Sequence, residues 1–236
     1  APFTAKPREL ARVTQRYAGL SWFAEGGRTL LDEYDENRHW RRTSLLDADR
    51  PGTPARVLFD LSTDDLYADP GTPELRVLAN GEAVLHEDRG ALFLSGQGAT
   101  PAGDRAFLDR YELASGKTER LFRSDASVDE VFAGFAGDDT TKLLTWRQSP
   151  TDPPNVYLRA LGQAQTDAAA GEAVYASSMA PVTHFPDPTP LVRQIKKRLV
   201  TYKRKDGVEL SFTLYTPPGY KEGTRVPAIL YAYPLD

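Results

Sequence analysis

From Ala18 to about His184 the chain is a succession of short apolar segments, each soon closed by Gly, Pro, Asn or Asp. That punctuation excludes a helical bundle and points to antiparallel strands joined by tight turns. GLSWFAEGG, RTLLDEYDE, RHWRRTSLLDAD and ARVLFDLS form a first set, broken at Gly26-Gly27, near Asn37 and at Arg50-Pro51-Gly52. STDDLYADPGTPEL reads as a helical turn and loop. RVLANGEAVLHED, with Asn80-Gly81 as its turn, then GALFLSGQGA, RAFLDRYELASG and KTERLFRSD form a second set, with another turn at 114–117. DEVFAGFAGDD, TKLLTWRQSP, PNVYLRALG and a segment near EAVYAS or PVTHF form a third. Residues 1–17 read as a short helix or an extended lead-in.

Three sets of about four strands, each roughly fifty residues long, fit the blades of a β-propeller. A β-sandwich, which also has short strands and frequent turns, is the alternative. The propeller is favoured by the recurring order of apolar strand, polar hairpin, aromatic strand and Arg-rich last strand. Three prolines within HFPDPTPLV (184–192) rule out a central strand there and mark a linker. Beyond it, QIKKRLVTYKRKDG and VELSFTLYTPP predict a hairpin turning at Asp206-Gly207, with Leu210, Phe212 and Leu214 on one face. VPAILYAY, nearly all apolar, predicts a strand covered on both sides. The domains expected are a partial propeller over 1–183, a linker over 184–193, and the opening strands of a further domain over 194–236.

Composition narrows the function classes. A net charge of −4 disfavours nucleic acid and anionic membranes as partners. No apolar run approaches the ~20 residues of a membrane span, and APFTAKPREL lacks the apolar core of a signal peptide. With no Cys there is neither a disulfide nor a thiolate metal site, which fits a cytoplasmic protein. His39, His86 and His184 are too dispersed to read as a metal centre, and no cofactor motif is present.

Several stretches resemble a known family. RYAGLSWF (16–23), VLFDLSTDDLYADPGTPELR (57–76), 94–125 and 184–220 are similar, in order, to the glutamyl endopeptidase branch of the prolyl oligopeptidase superfamily of serine peptidases. In that family a propeller of about seven blades caps an α/β-hydrolase domain. The resemblance therefore implies an internal fragment: the later blades, then the first hydrolase strands. It implies Ser-His-Asp acyl transfer on peptides, plausibly after Glu. The G-x-S-x-G elbow is absent, since Gly19-Leu20-Ser21-Trp22-Phe23 fails at its last position. This chain alone is accordingly expected to be inactive, and to associate with itself or with the remaining fragments. The superfamily's oxyanion-hole phenol maps to Tyr233, with Tyr231 one side-chain period earlier. Here Tyr233 is followed by Pro-Leu, as against the commoner Gly-Gly or Ala-Gly, although the glutamyl branch itself carries Tyr-Pro.

Recognition of an acidic side chain requires a cation, and Arg38, Arg41, Arg42, Arg76, Arg105, Arg110, Arg120 and Arg123 are candidates, each expected mainly at solvated surface. The basic run Arg193, Lys196, Lys197, Arg198, Lys203, Arg204 and Lys205 is read as a solvated face. Asp64-Asp65 and Asp138-Asp139 are read as turn residues, not as glycosidase carboxylates. A non-catalytic propeller that binds proteins is the alternative function. The three hydrolase-like strands weigh against it, since a free-standing propeller has no use for them.

Overall fold

The computed structural model describes residues 4, 6–50, 52–166 and 173–232. It divides into two compact units, one of residues 1–149 and 154–185, the other of 150–153 and 186–236. The chain is mostly β, and its sheets are antiparallel and open.

In the first unit three sheets follow one another along the chain. The first is β1 (Arg16–Trp22), β2 (Arg28–Asp35), β3 (Trp40–Asp47) and β4 (Arg56–Ser62), paired in chain order. The second is built on β9 (Ala91–Gly96), β10 (Phe107–Glu112) and β11 (Thr118–Arg123). Two short strands, β5 (Thr72–Pro73) and β8 (Glu87–Asp88), pair with β9, while β6 (Leu75–Val77) and β7 (Ala83–Leu85) form a small hairpin. The third sheet is β12 (Asp129–Ala136), β13 (Asp139–Gln148), β14 (Asn155–Thr166) and β15 (Ala173–Pro181), again in chain order. The first and third sets group as the sequence predicts, as do the turns at Asn80-Gly81 and 114–117. In the second set RVLANGEAVL forms a separate hairpin sheet, and Thr72-Pro73, expected in a helical turn and loop, pairs with β9, while residues 6–15 are irregular.

Strand alternation sets the core. Leu92 and Leu94 of β9 point to the first sheet, where they meet Phe23 and Leu30 together with Tyr111 of β10. Phe93 points the opposite way and packs with Leu108, Leu121, Phe122 and Leu143 beside the third sheet. The central sheet is thereby apolar on both faces, which is why ALFL is a continuous run and not an alternating one. A bulge in β11 lets Leu121 and Phe122 both enter the second cluster, since Leu108 faces Phe122 while Asp109 already faces Arg120.

In the second unit β16 (Lys196–Lys203) and β17 (Glu209–Thr216) form a hairpin in the predicted register. Its turn is closed by bonds from the amide of Arg204 to the carbonyl of Val208 (2.8 Å) and from Gly207 to Arg204 (2.9 Å). Two expectations fail here. Leu210 and Leu214 are half-buried but Phe212 is 44% exposed, so the hairpin covers no continuous apolar face. Residues 224–232 form no strand, and Ile229 and Leu230 are almost fully exposed. An apolar run becomes a strand only when an edge hydrogen-bonds to it, and among the described residues none pairs with 224–232.

Candidate carboxylate-binding cleft

Tyr233 lies outside the described residues. Tyr231 is 83% exposed, with no strand to aim it. The histidines are far apart in role as well as in sequence. His39, in the β2–β3 turn, sets its Nδ1 2.9 Å from Asp64 Oδ1 at the surface. His86 is half-buried, with its ring edge-on to Phe93 and Phe135. Burial, aided by the charge of Arg76, pushes its pKa down, so the neutral ring prevails. His184 is exposed. Among the described residues no group of His, Asp and Glu could hold a metal ion.

The acidic pairs serve their turns. Asp65 accepts from the Ala68 amide at 3.2 Å. Asp139 accepts from the amide and hydroxyl of Thr141 and pairs with Lys142, which together hold its carboxyl down at about 2. The basic run of the second unit is largely compensated: Arg193 pairs with Asp187, Lys203 with Glu209 and Arg204 with Asp206.

The candidate arginines sort by what stands opposite them. Arg41 and Arg42 pair with Asp69 and Asp60, Arg38 stacks on Trp40, and Arg105 donates to the Ser124 carbonyl. Arg120 holds the buried Asp109 with two bonds of 2.9 and 3.0 Å, its guanidinium over Phe107. Arg123 also has a partner. Arg76 and Arg110 pair with no described residue. Arg76 is exposed, whereas Arg110 is half-buried and lines a cleft of about 320 Å³.

Register builds this cleft. Arg110 on β10 sits directly between Phe93 on β9 and Glu119 on β11, one cross-strand row on the face toward the third sheet. Opposite lie Leu161 and Gly162 of β14, Tyr175 of β15 and the Thr140-Thr141 end of β13. The Tyr175 hydroxyl donates to Glu119 Oε1. That bond, reinforced by burial and by the carboxylate's charge, raises the phenol to about 12, against a small opposing effect of Arg110. Arg89 at the rim pairs with Asp88 at 3.1 Å. The cleft thus has a floor of Phe93, Leu121 and Leu161 and, on one wall, a cation whose cross-strand carboxylate is engaged elsewhere.

A second polar centre lies within the third sheet. Glu130 of β12, 1% exposed, accepts two bonds from Arg159 (2.6 and 2.7 Å) and one from the Thr145 hydroxyl (2.7 Å), with Arg147 3.6 Å away. Nothing in the sequence marks Glu130 as buried, because it adjoins a turn and reads as surface. Arg147, the register partner of Glu130 on β13, and Arg159 on β14 are the signal that could have found it.

No family profile matches the chain. Two curated relatives match nearly all of it. A probable chloroplastic glutamyl endopeptidase of Oryza sativa subsp. japonica is 31% identical over 97% of this chain and 25% of its own length. Its counterpart in Arabidopsis thaliana is 30% identical over 97% of this chain and 24% of its own. Among solved structures, an AtxE2 isopeptidase variant with bound astexin3-dC4 aligns over 94% of this chain and 28% of that one, with 14% identity and a TM-score of 0.45. The resemblance read from the four sequence stretches is borne out: the chain is homologous, from end to end, to about a quarter of the length of these glutamyl endopeptidases.

Proposed function

We propose that this chain is a segment of a serine peptidase of the prolyl oligopeptidase superfamily that cleaves peptide bonds after Glu. The observation that carries the proposal is the 31% identity to a glutamyl endopeptidase along 97% of the chain. On this reading the three consecutive sheets are blades of a β-propeller, and residues 194–236 are the opening strands of an α/β-hydrolase domain. The first and third sheets, four-stranded meanders hydrogen-bonded in chain order, support the blade assignment.

The reaction is acyl transfer: a serine hydroxyl attacks the scissile carbonyl, a histidine takes its proton and returns it to the leaving amine, and an acid orients the histidine. The elbow carrying such a serine is not among these 236 residues. The segment's own contribution is one donor, the Tyr233 phenol at the oxyanion, together with blades that restrict access. Removing a single oxyanion donor costs about 10²–10³ in kcat. The segment by itself is inactive, and it associates with itself or with the rest of the enzyme.

The test has two arms. The whole natural polypeptide, incubated with a peptide library, cuts after acidic residues; its failure to cut any peptide overturns the peptidase reading and favours a binding propeller. The 236-residue chain stays unlabelled by a fluorophosphonate probe; labelling shows a reactive serine here and refutes the inactivity.

A further inference from the structure

The cleft beside Arg110 has no part in the hydrolytic step described above. Its composition is unusual for the unit that holds it. The other half-buried arginines there have partners: Arg120 has Asp109, Arg147 and Arg159 share Glu130, Arg28 has Glu87, Arg41 and Arg42 have Asp69 and Asp60, Arg105 donates to the Ser124 carbonyl, and Arg123 is engaged as well. Arg110 faces Glu119 directly across the ladder, at the separation where opposite charges ordinarily pair. It is unpaired because Tyr175, reaching over from β15, takes the Glu119 carboxylate. The result is a guanidinium that is partly desolvated, fixed in a strand and left with its planar donor edge open to a cleft of about 320 Å³.

Desolvation and a rigid planar fork favour a carboxylate over a spherical anion. The floor of Phe93, Leu121 and Leu161 suits a short apolar stem, and the Thr140 and Thr141 hydroxyls, which donate to Asp88 and Asp139, keep their oxygens as acceptors for peptide N–H groups. The volume is at the small end for ligand sites, enough for one side chain and its flanking amides. Gly162 lines the opposite wall, where a Cβ would crowd the Ala176 carbonyl oxygen of β15 at 3.0 Å.

We propose that this cleft is an accessory binding site for the side-chain carboxylate of an acidic peptide residue, with Arg110 as the recognising cation and Tyr175 as the positioning residue that holds Glu119 off it. The site requires neither the nucleophile nor any catalytic step, so it stands or falls apart from the peptidase reading.

The experiment is an NMR titration of the ¹⁵N-labelled 236-residue chain with N-acetyl-L-glutamate α-methylamide, read at the Thr140, Thr141 and Gly162 amides. The glutamine analogue and inorganic phosphate are the comparison ligands. Saturable shifts are expected with the glutamate compound, at least tenfold weaker with glutamine or phosphate. Arg110→Gln weakens binding at least tenfold. Glu119→Gln, which removes the competing carboxylate, tightens it about threefold. Tyr175→Phe frees Glu119 to pair with Arg110 and so weakens it. Should Arg110→Gln misfold, the opposite signs of Glu119→Gln and Tyr175→Phe still decide the matter. Absence of saturable shifts, equal binding of the glutamine compound, equal binding of phosphate, or weakening by Glu119→Gln overturns the proposal.

Discussion

Arg159→Met is the sharpest probe of how the third sheet is held. Arg159 supplies both strong bonds to Glu130, at 2.6 and 2.7 Å, and a third from its other amino group to the Ser177 hydroxyl at 2.8 Å. Its removal leaves a carboxylate that is 1% exposed. Breaking a buried pair in this way costs about 3–5 kcal/mol, because an uncompensated charge remains in a poor dielectric. Thr145 still donates and Arg147 is still 3.6 Å away, so the lower end, about 3 kcal/mol, applies. For a unit of this size that is a fall of about 6–12 °C in Tm. Glu130→Gln should cost less, about 1–2 kcal/mol, since Arg159 is 18% exposed and can turn toward water. The double variant Glu130→Leu/Arg159→Met removes both charges and should be less damaging than Arg159→Met alone. Urea and thermal unfolding followed by far-UV circular dichroism measure all three. The reasoning is refuted if Arg159→Met costs under about 1 kcal/mol, or if the double variant is worse than the single.

Two further perturbations follow from local geometry. Glu74 is half-buried, and burial raises its pKa above the usual 4.5, partly offset by the hydroxyl of Ser95, which donates to it. Stability from this carboxyl is therefore fully present below about pH 4.5 and is lost as pH rises through the raised value. Glu74→Gln should raise Tm at pH 7 and make no difference at pH 4; an equal gain at both pH values would sink the argument. Gly98 sits at φ +64 with a virtual Cβ only 2.2 Å from the Arg105 carbonyl oxygen, whereas Gly81 at φ +86 has no atom within 4 Å. Both alanine variants carry the backbone strain, about 1 kcal/mol, but Gly98→Ala adds a backbone clash that breaks the loop bond from Arg105 to Gly98 (2.9 Å). Chemical denaturation should rank Gly98→Ala well below Gly81→Ala, and equal losses would refute the steric account.

Local chemistry made most of the fold legible. Asn80-Gly81 and Asp206-Gly207 turn where the chain must, with both glycines in the left-handed region. The run GALFLSGQGA is the strand it was read as, and its ALFL core lies between two apolar clusters. The strand expected of VPAILYAY is not found: residues 226–232, of the same texture, form none. Apolarity reports that a segment can be buried, while pairing depends on an edge elsewhere, and composition holds no record of that edge.

The cleft was less legible for a related reason. Arg110 and Arg120 lie on neighbouring strands, each opposite a carboxylate, at Glu119 and Asp109. Nothing in the residues themselves separates them. Arg120 pairs with Asp109 through both carboxylate oxygens, and Phe107 backs the cation. Arg110 does not pair with Glu119 because a tyrosine more than fifty positions away in the chain (|i−j| = 56 from Glu119) reaches that carboxylate first. The difference between a structural ion pair and an open cation is thus decided by one long-range hydroxyl. A phenol held at about 12 stays protonated, and so keeps donating, across the whole physiological range. The open state of Arg110 therefore persists across the physiological pH range, and loss of the Tyr175 hydroxyl or a change in the packing of β15 against β11 would close it.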